Sequence, residues 1–90
     1  MTKILIEKLS EKQIIAKGIK SWPIWEKEIS RFPWTYNGSE QCLIIEGDFV
    51  VETDDGDFNI VAGDFVTFPD GLNCVWDIKK PIKKYYNFNE

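Results

Sequence analysis

Near the C-terminus Ile82, Lys84, Tyr86 and Phe88 alternate along the chain, and three of the four are apolar or aromatic. On a β-strand such residues share a face, so Lys84 is a charged outlier on a face otherwise suited to a core. An inward ammonium needs a counter-charge, and Glu40, in phase with Cys42 and Ile44, is the candidate partner. A carboxylate among apolar groups is costly to desolvate unless a cation or several donors compensate it. Two roles are open for the pair: proton donor and acceptor in a reaction, or an ion pair that only neutralises itself. The same alternation puts Trp34 with Tyr36, and Cys74 with Trp76, on inward faces. An aromatic interior with a carboxylate and two thiols suits a small organic ligand with an apolar body and one cationic or hydrogen-bond-donating group. The same rings also serve as filler, because small barrels fill their interiors with side chains.

Several chemistries are excluded at the outset. The 90 residues contain no histidine, which removes Ser-His and Cys-His nucleophile pairs and the commonest ligand for transition metals. A metal site built from Glu40, Cys74, Cys42 and Tyr36 would mix hard oxygen and soft sulfur without an imidazole, so neither a metal nor another cofactor is expected. Cys42 and Cys74 lie in apolar runs without CxxC spacing and are expected as free thiols, Cys74 lacking an evident general base. Asp54, Asp55 and Asp57 sit too close together for a calcium loop and mark a turn. Eleven basic against fifteen acidic residues give a net charge of −4, the wrong sign for a nucleic-acid or anionic-membrane partner. Neither a long apolar span nor a secretion signal is apparent, so a cytoplasmic location is expected.

The elements that must position these groups are nearly all strands. Ser10 precedes Gln13 at the spacing of a reciprocal cap, and Gly18 offers a stop, so one short N-terminal helix is predicted over Glu11–Lys17. From Trp22 onward, runs of β-branched and aromatic residues alternate with Gly, Pro, Asn and Asp. Strands are predicted near Trp25–Arg31, Phe32–Tyr36, Gln41–Glu46, Phe49–Thr53, Phe58–Val61, Phe65–Phe68, Asn73–Ile78 and Ile82–Phe88. Asn37-Gly38 and Asp55-Gly56 have the composition of tight hairpins, and Pro69-Asp70-Gly71 that of a preset turn. A single all-β domain spanning residues 1–90, a small antiparallel barrel or sandwich, is the predicted architecture.

Two stretches carry a recognisable spacing: Glu40, six residues, then Gly47; and Gly63-Asp64, four residues, Pro69-Asp70-Gly71, two residues, Cys74. This pattern resembles the cupin superfamily, and the wording around Trp22–Glu26, Phe68–Trp76 and Lys83–Tyr86 is similar to its small single-domain cupin-3 family. That family's larger relatives include ureidoglycine aminohydrolases and an ethanolamine-utilisation protein. The resemblance implies an RmlC-like jelly roll, a double-stranded β-helix. Metal-binding cupins place two histidines ahead of the glutamate and a third at the end of the second motif. At those positions this chain has Trp34, Tyr36 and Cys74, so the resemblance brings Glu40 across unchanged and leaves the histidine ligands behind.

Three functions follow as expectations. The first is a metal-free module binding a small molecule through Trp34, Tyr36, Glu40, Cys42, Cys74 and Trp76. The second is an enzyme on a small nitrogenous or carbonyl metabolite, with Glu40 as acid/base and Lys84 or Tyr36 assisting. The third is a structural protein with a filled core. A homodimer is implied by the resemblance, and Trp22 and Trp25 near one edge are the expected apolar contact.

Overall fold

The computed structural model describes residues 4–89; Met1, Thr2, Lys3 and Glu90, the ends of the expected domain, lie outside the described residues. Its seven strands are β1 (Leu5–Lys8), β2 (Ile24–Lys27), β3 (Ser30–Thr35), β4 (Ser39–Thr53), β5 (Gly56–Val61), β6 (Asp64–Phe68) and β7 (Asn73–Asn89). One helix, α1 (Glu11–Lys17), and a 3-10 turn, Ile19–Ser21, link β1 to β2. The helix matches its predicted range because both ends are specified locally. Ser10 Oγ accepts the Gln13 backbone N–H while Gln13 Oε1 accepts that of Ser10, and Gly18 closes the helix at a φ of 66°.

Two long strands organise everything else. Along one edge of β4, its first half pairs with β6 and its second half with β5; β7 runs antiparallel along most of the other edge. In turn, β7 pairs with β3 through its first half and with β2 through its second. Each long strand thus contributes to two halves of an antiparallel jelly roll, the cupin form. The inner faces of the halves meet where Phe68 of β6 packs against Trp76 of β7, with ring centroids 5.6 Å apart.

Sequence punctuation predicts breaks inside both long strands, and the structure shows none. Gly47 and Pro81 interrupt neither strand because they meet at an irregularity in the β4–β7 ladder, where the register shifts between Ile44 and Phe49. There the inward phase of β4 moves from Glu40, Cys42 and Ile44 to Phe49 and Val51. Gly47 has a φ of 124°, and a Cβ on it would lie 2.9 Å from the Pro81 carbonyl oxygen and 3.0 Å from Ile82 Cα. Only glycine lets the strands approach so closely at that backbone geometry.

The turns also need one correction. Asp54 and Asp55 do close a hairpin between β4 and β5, with Thr53 opposite Gly56. Asn37-Gly38 instead joins β3 to β4, whose partners are β7 for the former and β5, β6 and β7 for the latter. It is pinned across space: the Asp70 carboxylate accepts the Gly38 N–H at 2.7 Å, Gly71 N–H donates to the Tyr36 carbonyl, and Tyr36 N–H donates to that of Leu72. The turn of the second sequence motif therefore fixes the backbone just ahead of Glu40.

Candidate functional site

Glu40 sits near the start of β4, directly opposite Phe68 of β6 and Phe88 of β7. Its carboxylate has two partners. Tyr36 Oη donates to Oε1 at 2.9 Å, and Lys84 Nζ donates to Oε2 at 2.9 Å. All three residues are buried, Glu40 and Lys84 being 3% and 4% exposed. Lys84 arrives from the second half of β7, while the turn pinning Tyr36 holds the phenol between Glu40 and the ring of Phe68, with which it stacks at 5.0 Å.

Beyond the carboxylate, the ammonium faces aromatic rings. Lys84 Nζ lies 4.9 Å from the Trp25 ring centroid and 4.8 Å from that of Trp76. Cation–π attraction to both rings complements the ion pair on the side where Glu40 is absent. Trp25 reaches this position because β2 pairs with β7 so that Trp25 stands opposite Lys84; Phe32 likewise stands opposite Trp76 in the β3–β7 ladder and stacks on it.

These side chains wall a cavity of about 190 Å³ that opens to solvent. Glu40, Tyr36 and Lys84 are buried polar residues in its lining, and Trp25, Phe32 and Trp76 form much of its apolar wall. Trp34 and Phe88, 47% and 45% exposed, stand at the rim, with Tyr86 beside Phe88.

Of the sequence candidates, Trp34, Tyr36, Glu40, Trp76 and Lys84 come together around the cavity, and the two cysteines do not line it. Cys42 is fully buried, and burial pushes its thiol up to about 12 despite the opposing charge of Lys84. Cys74 points its Sγ at the Trp34 carbonyl oxygen, 3.5 Å away, and burial again raises its thiol. Part of that rise is offset by the nearby Trp76 indole N–H, which is itself buried and reaches no acceptor at hydrogen-bonding geometry. Both cysteines are free, and both stay protonated at neutral pH, which makes them poor nucleophiles. Tyr36 also keeps its proton, since burial and then the Glu40 charge hold the phenol well above its usual range.

Three expectations change. Trp25, singled out only as an edge residue, lines the cavity opposite its register partner Lys84, and Trp22 packs on Phe65 with centroids 6.4 Å apart. The Glu40 carboxylate is not open to a cationic ligand, since Lys84 already supplies the cation. Trp25, Phe32, Tyr86 and Phe88 join the site without having been singled out for it; only the alternation of Lys84, Tyr86 and Phe88 signalled any of them.

The residues present do not suit a metal. Where metal-binding cupins carry histidines, Trp34 offers an exposed indole, Tyr36 a protonated phenol already bonded to Glu40, and Cys74 a thiol outside the cavity. Among the described residues no three of His, Cys, Asp and Glu converge. The positive charge facing Glu40 is the Lys84 ammonium.

This jelly roll with its inward glutamate defines a cupin. The chain belongs to the Cupin_3 family, described as the EutQ-like cupin domain, which matches residues 15–86. Its structure is similar to a DUF861 family protein from Thermotoga maritima, with 43% identity and a TM-score of 0.94 over 97% of this chain and all of that one. It is also similar to a putative ethanolamine utilization protein Q from Salmonella typhimurium, at 21% identity and TM-score 0.64, over 92% of this chain and 66% of that one. The EutQ protein of Clostridium difficile aligns at 17% identity with a TM-score of 0.65, over 94% and 66% of the respective chains. The latter two likenesses are of fold alone. No curated protein matches the sequence. No helix among the described residues is long and apolar enough to cross a membrane.

Proposed function

We propose that this cupin binds a small, neutral organic molecule in the aromatic cavity, with Glu40, Lys84 and Tyr36 as its polar floor and without a resident metal. The observation that carries this reading is the buried ion pair in the lining of an otherwise largely aromatic cavity that opens to solvent. A protein that needed these rings only as filler would gain stability by closing the space over the pair, since empty apolar volume forfeits packing. A cavity of about 190 Å³ is of the order that holds one ring or a short chain. Neutrality of the ligand follows from the floor: Glu40 and Lys84 cancel, and Tyr36 is a protonated donor.

Native mass spectrometry of protein purified without chelator, paired with a denatured run and elemental analysis, tests the reading. A retained organic molecule of this size supports it. A stoichiometric metal contradicts it.

A further inference from the structure

Resting on the pocket reading above, we propose that Lys84 is a nucleophile that condenses with neutral aldehydes or ketones held in the cavity, forming an imine with Glu40 as the proton carrier. Among the described residues Lys84 supplies the only amine on the cavity wall, and its counter-ion is a carboxylate in direct hydrogen bond. An ion pair of this kind contains both the nucleophile and the acid/base that imine chemistry needs, and the wall beyond it can hold the carbonyl compound's apolar body.

The steps balance without any co-reactant. Glu40 Oε2 takes one proton from the Lys84 ammonium across their 2.9 Å hydrogen bond, which frees the nitrogen lone pair. Nζ attacks the carbonyl carbon, the C=O π pair moves to oxygen, and transfer of a proton from nitrogen to that oxygen gives a neutral carbinolamine. The Glu40 carboxyl then protonates the carbinolamine hydroxyl, water departs with the C–O bonding pair, and the nitrogen lone pair closes the C=N bond. Glu40 ends ionised, as it began. The nitrogen ends as an iminium carrying the charge the ammonium carried.

The surroundings favour that end state. The rings of Trp25 and Trp76, 4.9 and 4.8 Å from Nζ, attract an iminium as they attract an ammonium, and the iminium N–H can still donate to Glu40. Tyr36 holds Oε1 in place throughout, so Oε2 is the oxygen that exchanges the proton. Carbonyl compounds bearing their own carboxylate are disfavoured, because Lys84 is the only cation lining the cavity among the described residues and already faces Glu40.

The test is reductive trapping. The intact protein is incubated with butanal and sodium cyanoborohydride at neutral pH, and butylated lysines are located by peptide mass mapping over time. Lys84 is expected to react about tenfold or more faster than exposed Lys79 and Lys80 in the same sample, the gain expected of a positioned nucleophile beside its base. Glu40→Gln is expected to slow Lys84 by roughly a hundredfold while Lys79 and Lys80 are unaffected, the scale of a lost general acid–base group. Reaction at Lys84 no faster than at Lys79 and Lys80 in the wild-type protein overturns the proposal, and this internal comparison needs no variant to fold. Butan-1-ol, which has the same chain but no carbonyl, separates the two readings through tryptophan fluorescence. A response to the alcohol without trapping of the aldehyde leaves the binding pocket standing and removes the imine. No response to either compound and no trapping removes both.

Discussion

Replacing Lys84 with methionine keeps most of the side-chain stem while deleting the charge. Glu40, only 3% exposed in the wild-type structure, is then left with the Tyr36 hydroxyl as partner. Breaking one side of a buried, hydrogen-bonded ion pair costs about 3–5 kcal/mol. For a chain of this length that is at least about 12 °C in Tm, and a large part of the total stability of a small domain. Glu40→Gln should cost less, because the ammonium keeps two ring faces and an amide oxygen in reach. The double variant Glu40→Gln, Lys84→Met removes both charges, and we expect it to recover to within about 1–2 kcal/mol of wild type. Urea denaturation followed by tryptophan fluorescence gives all four corners of this cycle, and a coupling of about 2 kcal/mol or more is predicted. Additive single variants, each within about 1 kcal/mol of wild type, would refute the claim that a desolvated pair forms the cavity floor.

Three further outcomes follow from the same geometry. Gly47→Ala places a methyl group against the Pro81 carbonyl at a φ of 124°, and a loss of about 2–4 kcal/mol is expected in the same urea assay, whereas exposed Gly71→Ala, strained but uncrowded, costs less. Alkaline conditions destabilise the protein: the Cys42 thiol, ordinarily near 9.0, titrates at about 12 when folded, so the unfolded chain releases its proton first. The Cys42 contribution to stability is therefore full below pH 9 and is lost towards pH 12 by up to about 1.4 kcal/mol per pH unit, Tyr36 adding in the same direction, and Cys42→Ala should flatten the decline in urea midpoint. Trp34→Ala at the rim should leave stability within about 1 kcal/mol yet weaken a one-ring probe such as benzyl alcohol about two- to tenfold, as read by fluorescence titration.

The cupin fold was legible because its signals are local. The Ser10–Gln13 cap, the inward alternation along each strand and the spacing of Glu40, Gly47, Gly63, Pro69 and Gly71 all lie within short stretches of chain. Less legible was anything that depends on pairing across the sheet. Gly47 and Pro81 read individually as strand breaks, and only their approach at the β4–β7 irregularity shows that they permit two long strands to continue. Lys84 was visible as a charge on an apolar face, and Glu40 as its partner. Trp25 and Phe32 enter the site through their positions opposite Lys84 and Trp76, a register that a single sequence does not state. Cys74 fell outside the cavity although its phase along β7 is shared with Trp76, because its Sγ turns towards the Trp34 backbone.

Whether the cavity at Glu40 and Lys84 receives small neutral molecules is reported directly by the four indole N–H signals of the protein. Trp25, Trp34 and Trp76 line the cavity, while Trp22 packs on Phe65 away from it. In a two-dimensional 15N–1H NMR titration with butan-1-ol and benzyl alcohol, saturable shifts of the Trp25, Trp34 and Trp76 indole signals and a stationary Trp22 are expected. Four signals that stay put at millimolar probe, or that drift together without saturating, would contradict binding there.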